Sequence, residues 1–266
     1  MKIADLGRLT GPVLVWGGAH GNFAALGALL RDATRQGLPP ERVISAGHVA
    51  GMCAGSADCI AAWRAFGGPG VAGGIERALA AGASDPGLGD APGGARANAT
   101  KTWWPQLARQ IAAPARDWIE DLPDIVVFAH EGRRWAVVHA APGDPGRPLW
   151  PGAAETDFAR AITACAAAAG PLDGLIVGHS GLAFERDVDG IAWIDAGAIG
   201  LPPHDTRRMG RYIRLDTDGA RILRLDYDPA PTFAAMVASG LTQGWDLALM
   251  DGRWPGAEGL PDEMRE

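Results

Sequence analysis

The sequence contains few of the residues that mark several common protein classes. Its 266 residues include only two lysines, two tyrosines and three cysteines, which are Cys53, Cys59 and Cys165. Three cysteines without a Cys-x-x-Cys pair do not form a disulfide framework, and a reducing cytoplasm is the simplest setting for them. The sequence has no run of 18 apolar residues, so we expect no membrane span, and its first residues do not resemble a signal peptide.

Positive charge is also in short supply. There are 24 Lys and Arg residues against 31 Asp and Glu residues, which gives a net charge of −7. This balance excludes the broad basic surface of a general nucleic-acid-binding protein. Hydrophobic residues make up 47% and charged residues 21% of the chain. Those fractions are typical of a globular protein and argue against global disorder.

Apolar runs and helical periodicity alternate along the first quarter of the chain. The pattern predicts a strand, a helix, a second strand and a second helix. These segments are 12–17, 22–37, 42–47 and 55–66. Such an order predicts parallel strands joined by right-handed crossovers. Ligands of such sheets bind beyond the carboxyl ends of the strands, which are here the loops at 17–22 and 47–54.

The remaining three quarters of the chain give a less regular pattern. We predict an irregular loop at 84–99, because glycine, proline, alanine and aspartate dominate it. The next segment is predicted as a helix that Pro105 and Pro114 break. A strand hairpin around Glu131-Gly132, an Ala-rich helix at 154–169 and four further strands follow. The tail from residue 230 is predicted as one helix and then coil.

Four of the six histidines share one position relative to the predicted strands. His20, His48, His139 and His179 each end or closely follow a strand, beside glycine or alanine. The carboxyl ends of parallel strands meet at one edge of a sheet, where imidazoles can bind a metal ion or an anion. The alternative is that each histidine is a hydrogen-bonded polar residue at a strand end.

The order of these motifs resembles the calcineurin-like metallophosphoesterase superfamily, in its compact prokaryotic form. The resemblance covers nearly the whole chain and implies a single domain over 1–266. It implies an α/β fold, a four-layer α-β-β-α sandwich with two packed mixed sheets. The motifs are Gly18-Ala19-His20-Gly21-Asn22 for Asp-x-His-Gly-Asn, Gly47-His48 for Gly-Asp, Gly73-Gly74-Ile75-Glu76 for Gly-Asn-His-Asp/Glu, the strand ending at His139, Gly178-His179-Ser180-Gly181 for Gly-His-x-His, and the closing segment 194–203.

The resemblance also implies which positions would hold two metal ions. The first ion would use positions 18, 20, 48 and 181, and the second would use 48, 74, 139 and 179. This chain keeps histidines 20, 139 and 179. It has glycine in place of the ligands at 18, 74 and 181, and His48 in place of the bridging aspartate. Ile75 replaces the histidine that assists the leaving group.

These replacements argue against a two-metal centre on chemical grounds, because a neutral imidazole has one lone pair and cannot bridge two cations as a carboxylate does. The remaining histidines are consistent with one zinc, manganese or iron ion on His48, His139 and His179, with His20 as a catalytic residue. Residues expected around that pocket are Gly18, Asn22, Gly74, Glu76, Gly181 and Asp195. Glu76 and Asp195 would orient metal-bound histidines from behind, or Glu76 simply starts a helix.

Two functions are compatible with this sequence. One is a phosphoester hydrolase with a single metal ion that acts on a small phosphorylated molecule or other anion. The alternative is a catalytically inactive relative, a pseudoenzyme, that serves as a ligand-binding or regulatory module. A different metal chemistry, such as copper binding, is a third interpretation. Trp103 and Trp104, next to the loop at 84–99, are either a cover for an aromatic ligand or part of the core.

Overall fold

The computed structural model describes residues 1–90, 92–142, 147–256 and 260–261. Ten strands and eight α-helices lie within these ranges. The strands are β1 (Ile3–Arg8), β2 (Val13–Trp16), β3 (Val43–Ser45), β4 (Ile125–His130), β5 (Arg133–Val138), β6 (Gly174–Val177), β7 (Ala183–Val188), β8 (Ile191–Ala196), β9 (Gly210–Asp216) and β10 (Gly219–Leu225). The helices are α1 (Phe23–Arg35), α2 (Ser56–Phe66), α3 (Gly74–Ala80), α4 (Ala95–Gln110), α5 (Ala113–Asp121), α6 (Glu155–Ala169), α7 (Ala230–Ala238) and α8 (Trp245–Asp251).

The strands form two mixed sheets. The larger has the order β1-β4-β5-β6-β8-β7, and the smaller has the order β10-β9-β2-β3. Strands β2 and β3 are parallel, which confirms the predicted β-α-β unit. In the larger sheet β4 and β5 form the predicted antiparallel hairpin, and β5, β6 and β8 run parallel.

Alternation along the strands produces four layers. Val13 and Val15 of β2 face the larger sheet, where they share an apolar layer with Phe128 of β4. Leu14 and Trp16 point to the other side and pack among α1, α2 and α4. Helix α6 covers the outer face of the larger sheet. Because successive residues of a strand point to opposite faces, each sheet is buried on both sides, and the predicted α-β-β-α sandwich is confirmed.

The predicted break at Pro105 is wrong. Helix α4 runs from Ala95 to Gln110 with Pro105 inside it, whereas Pro114 does lie at the start of α5. Trp103, Trp104 and Leu107 lie in or flank the turn that holds the proline and are all buried in one core. Their burial outweighs the backbone hydrogen bond that proline removes.

Two other regions are more regular than their composition indicates. Helix α4 begins at Ala95, so the irregular segment at 84–99 is shorter than predicted. The tail contains two helices, α7 and α8, rather than one.

The sequence does not predict strands β1 and β7, because polar and charged residues in both hide the apolar pattern.

The cysteines and the helices agree with the composition. Cys53, Cys59 and Cys165 are free and buried. In the described ranges, the helices are too short or too polar to cross a membrane.

Asn22 joins three parts of the fold next to the first histidine loop. Its side-chain oxygen accepts hydrogen bonds from the Ala25 amide at 3.1 Å, as a helix N-cap, and from the Thr232 hydroxyl at 2.8 Å. Its amide nitrogen donates to the Gly200 carbonyl at 2.9 Å and to the Tyr227 hydroxyl at 3.0 Å. The side chain is fully buried and its polar atoms are all engaged. Asn22 therefore supports the structure behind the pocket.

Replacing Asn22 with alanine is expected to lower the free energy of unfolding by about 2–3 kcal/mol, because a helix cap is lost and buried partners are left unpaired. Chemical denaturation monitored by circular dichroism measures this change. Asn98→Ala, at an exposed position of α4, is the matched control and should change stability by less than about 0.5 kcal/mol. Equal, small effects of both substitutions would contradict the assigned role of Asn22.

Candidate ligand pocket at the histidine cluster

The four histidines predicted to converge do so. The ring centroids of His20 and His48 lie 5.2 Å apart, those of His48 and His139 lie 3.8 Å apart, and those of His139 and His179 lie 5.2 Å apart. All four follow the carboxyl ends of β2, β3, β5 and β6. Two neighbouring parallel strands of each sheet therefore deliver one imidazole each to a single edge of the sandwich.

Two of these histidines have a strained backbone. His20 has φ of 50° and His48 has φ of 56°, which is the left-handed region that side-chain-bearing residues rarely adopt. The two loops hold each other in this state. The His20 amide donates to the His48 carbonyl at 2.8 Å, and the Gly18 amide donates to the Gly47 carbonyl at 3.0 Å. Such strain persists only where surrounding contacts fix it, and it is concentrated at functional sites.

Glu76 holds the loop that carries His48. Its carboxylate accepts the amide of His48 at 3.0 Å, the amide of Ala50 at 3.0 Å and the amide of Gly73 at 3.0 Å. The side chain is buried, and burial raises its pKa while these hydrogen bonds oppose the rise. Both carboxylate oxygens thus accept hydrogen bonds from backbone N–H groups. Glu76 therefore shapes the loop that carries His48.

Asp195 does the same for the loop after His179. Its carboxylate accepts the Ser180 hydroxyl at 2.7 Å, the Ser180 amide at 3.2 Å and the Gly197 amide at 2.9 Å. Burial raises the pKa of Asp195 to about 7, against the effect of these hydrogen bonds. Among the described residues, Glu76 and Asp195 thus accept hydrogen bonds from backbone amides and from the Ser180 hydroxyl, and their expected role in orienting metal-bound histidines stays a prediction.

Hydrogen-bond partners fix the tautomers of two imidazoles. His139 Nδ1 lies 2.8 Å from the carbonyl oxygen of Ala46, so Nδ1 carries the proton and Nε2 has the lone pair. The amide of Ile75 points at His48 Nε2 at 3.4 Å, so His48 carries its proton on Nδ1. Two buried ring nitrogens, His139 Nε2 and His20 Nδ1, have no hydrogen-bond partner among the described residues.

Three imidazoles of the cluster are uncharged at neutral pH. Burial lowers the pKa of His20 to about 3, and the nearby Arg96 guanidinium adds to this effect. The pKa of His139 also falls to about 3, through burial and then through His179. For His48, burial and the three neighbouring histidines hold the pKa well below its usual range. His20, His48 and His139 therefore offer polar but uncharged rings.

The three glycines in the resembling motifs have different surroundings. A Cβ on Gly18 would lie 2.5 Å from His20 Nε2, so the His20 ring occupies the space that a side chain at 18 would need. A Cβ on Gly181 would lie 3.1 Å from the Trp254 ring. At Gly74 the same atom would meet only His48 Nε2, at 3.9 Å, so this position is open.

A pocket of 270 Å³ opens in front of the cluster. Among the predicted site residues His20, His48, His179 and Gly181 line it. The sequence does not predict most of its other walls, because they come from loops, helix ends and the tail, which are far apart in the chain. The further lining residues are Met52, Ile75, Leu88, Gly89, Asp90, Arg96, Pro148, Trp150, Ser180, Leu201, Trp245 and Trp254, of which Ile75 and Ser180 belong to the motifs named above.

Other predicted residues lie elsewhere. His139 and Gly74 line a neighbouring cavity of 440 Å³ with Arg77 and Asp124. The 270 Å³ pocket is not lined by Gly18, Asn22, Glu76 or Asp195. Trp103 and Trp104 are 1% and 4% exposed and pack edge-to-face in the core, so they do not cover a ligand.

The residues present do not fit a two-metal centre. Such a centre needs bridging and charge-compensating carboxylates, and the two nearest buried carboxylates already bind backbone amides. Two imidazoles on one tetrahedral zinc have ring centroids about 5 Å apart, whereas the rings of His48 and His139 are at 3.8 Å. Within the described ranges, no three His, Cys, Asp or Glu side chains are grouped to hold a metal ion.

Comparisons with known proteins agree with the architecture. Neither protein-family models nor curated protein sequences match this chain. Among solved structures, a metallophosphoesterase from Sphaerobacter thermophilus matches with a TM-score of 0.68 and 21% identity, over 92% of this chain and 100% of that chain. A hypothetical protein from Pyrococcus horikoshii OT3 matches with a TM-score of 0.74 and 17% identity, over 93% and 99%. The chain thus has the metallophosphoesterase fold, as its motif order indicates.

Gly18→Ala is expected to lower the free energy of unfolding by about 1–3 kcal/mol and to shift the NMR resonances of the His20 ring. The new Cβ would collide with that ring, and Gly18 has a φ of 40°, which strains any residue with a side chain. Gly74→Ala is the matched control. It places a methyl group in open space on the first turn of α3 and should leave stability unchanged or slightly higher. Denaturation curves and histidine NMR spectra measure both. A Gly18→Ala protein as stable as the control would disprove the assigned crowding.

Acid should destabilise the protein through its buried histidines. Their pKa is lower in the folded state than in the unfolded state, so below pH 6.5 the unfolded chain binds protons that the folded chain does not. The free energy of unfolding is therefore highest above pH 6.5 and declines as pH falls toward 3. Each such histidine lowers it by about 1.4 kcal/mol for each pH unit in that window. His20→Gln should therefore flatten the dependence of unfolding free energy on pH by about one proton between pH 6 and 4.5, measured by urea denaturation. An unchanged slope would show that His20 is protonated in the folded state.

Proposed function

We propose that this chain is a catalytically inactive relative of the metallophosphoesterases that binds a small anionic molecule, a phosphate monoester or another anion, in the 270 Å³ pocket. One observation carries the proposal. The two buried carboxylates next to the histidine cluster, Glu76 and Asp195, are committed to backbone amides and a serine hydroxyl. Asp90, the carboxylate of the pocket wall, is paired with Arg96, and His48 stands where the resemblance implies the bridging aspartate of a two-metal centre.

The leaving-group position supports the same conclusion. Ile75 is fully buried and lines the pocket where the resembling motif has a histidine. An aliphatic side chain cannot donate a proton to a departing oxygen. The pocket thus lacks both a two-metal activation of water and a general acid at this position.

The polar groups of the pocket suit recognition of an anion. Arg96 is the cation among the described lining residues, and its guanidinium pairs with Asp90 at 3.1 Å. The side chains of Arg96 and Asp90 are 23% and 11% exposed, so this pair is largely shielded from water. A guanidinium binds carboxylate and phosphate oxygens through paired N–H groups. The entering anion would take the place of Asp90 on Arg96, with the His48 Nδ1–H as a further donor.

A hydrolase with one metal ion is the second candidate. The observation in its favour is His139, whose Nδ1–H is bound to the Ala46 carbonyl while Nε2 keeps a buried, unpartnered lone pair. That arrangement is common for histidines that bind metals. His48, His139 and His179 would have to separate to bind one zinc, manganese or iron ion, with His20 beside them. We place both candidates in the cytoplasm, on the basis of the three free cysteines.

The proposal is tested by titrating the protein with inorganic phosphate and methyl phosphate in a calorimeter. Both are expected to bind, and Arg96→Gln should weaken binding at least tenfold because the paired N–H donors are lost. Arg109→Gln, at an exposed position of the same helix, is the matched control and should bind as the unaltered protein does.

A parallel assay measures phosphate release from phosphomonoesters and phosphodiesters, with and without added Mn²⁺ or Zn²⁺. The proposal predicts no release above the rate without protein. Metal-dependent release that His139→Asn abolishes would reject the proposal in favour of the hydrolase. Absence of anion binding would reject it as well.

A further inference from the structure

Three tryptophans line the same pocket as the neutral histidines. Trp150, Trp245 and Trp254 come from the segment before α6, from α8 and from the residues after α8. The rings of Trp245 and Trp254 are 6.2 Å apart and inclined at 52°. Trp245 and Trp254 are 4% and 8% exposed, whereas Trp150 is half-buried. We call these three residues the tryptophan wall.

The position of Trp254 is fixed by hydrogen bonds. Its indole Nε1–H donates to the Pro202 carbonyl at 2.6 Å, and its backbone amide donates to His204 Nδ1 at 2.8 Å. Its ring lies 3.1 Å from the place of a Cβ on Gly181, so any side chain at that position would displace it. The glycine in this motif is thus matched to an aromatic ring from the far end of the chain.

The pocket therefore has two chemically different parts. One part presents the Arg96 guanidinium with its Asp90 partner and the neutral imidazoles of His20 and His48. His20 Nδ1 is buried there without a hydrogen-bond partner in the described residues. The other part presents indole surface, which is rigid and polarisable and favours stacked or edge-to-face contact with a flat ring. A ligand that satisfies both parts is flat and apolar at one end and anionic at the other.

We infer that the ligand carries an aromatic ring joined closely to its anionic group, and that this ring packs against the tryptophan wall. The inference rests on the proposed function, because it assumes that the anion binds at Arg96. Two features favour a ring over an aliphatic chain. Indole faces gain from stacking beyond the burial of area, and two of the three wall residues are immobilised, so little side-chain entropy is lost on binding.

The experiment compares three phosphate monoesters of equal charge, which are phenyl, cyclohexyl and methyl phosphate. Calorimetry gives each affinity, and quenching of tryptophan fluorescence gives an independent signal. Phenyl phosphate is expected to bind about tenfold more tightly than methyl phosphate and more tightly than cyclohexyl phosphate, because only the phenyl ring is flat and aromatic.

Variants locate the effect in the wall. Trp150→Leu should remove most of the advantage of phenyl phosphate while methyl phosphate binds as before. Trp118→Leu, a half-buried tryptophan on α5 that does not line the pocket, is the matched control and should keep the advantage. Circular dichroism of both variants shows whether the fold is intact.

Each outcome separates this inference from the proposed function. If all three esters bind equally in an Arg96-dependent way, the aromatic inference is overturned and anion binding stands. If cyclohexyl and phenyl phosphate bind equally, the wall selects apolar groups in general, and the aromatic inference is again overturned. If none of the esters binds, the proposed function fails and the inference fails with it.

Discussion

The whole site depends on the hydrogen bonds that backbone amides donate to the Glu76 carboxylate. They tie the start of α3 to the loop that carries His48 and hold that residue at a left-handed φ. The His48 carbonyl in turn accepts the amide of His20, so one buried carboxylate positions both strained loops. Because three backbone amides donate to this carboxylate, its role in the fold is to build the edge of the sandwich.

The neutral character of the cluster follows from this arrangement. Four imidazoles packed with neighbouring ring centroids 3.8–5.2 Å apart cannot all be charged in a buried site, and burial lowers the pKa of His20, His48 and His139. Positive charge in the pocket comes instead from Arg96 in α4, which Asp90 balances. A neutral polar surface, one guanidinium and an indole wall form a site for recognition rather than for activation of water.

The sequence predicts the frame of this site better than its walls. Strand ends are legible from short apolar runs, so the convergence of His20, His48, His139 and His179 is predictable, as is the sandwich. Arg96 lies on the first turn of a helix that begins inside the segment whose composition predicts an irregular loop, and Trp254 lies in a tail without periodicity. Contacts between residues so distant in the chain, such as Gly181 with Trp254, leave no local signal. The orientation of Glu76 also depends on the folded loop and not on its place at a helix start.

The metal content of the protein tests the central claim most directly. The protein is incubated with Zn²⁺ and Mn²⁺, dialysed, and measured by inductively coupled plasma mass spectrometry beside a His139→Asn variant. A cluster of closely packed neutral imidazoles without a free carboxylate predicts far less than one metal ion per chain, and the same value for the variant. Two ions per chain, lost in the variant, would restore the two-metal centre and contradict the account. One ion per chain, also lost in the variant, would contradict it in favour of the one-metal hydrolase.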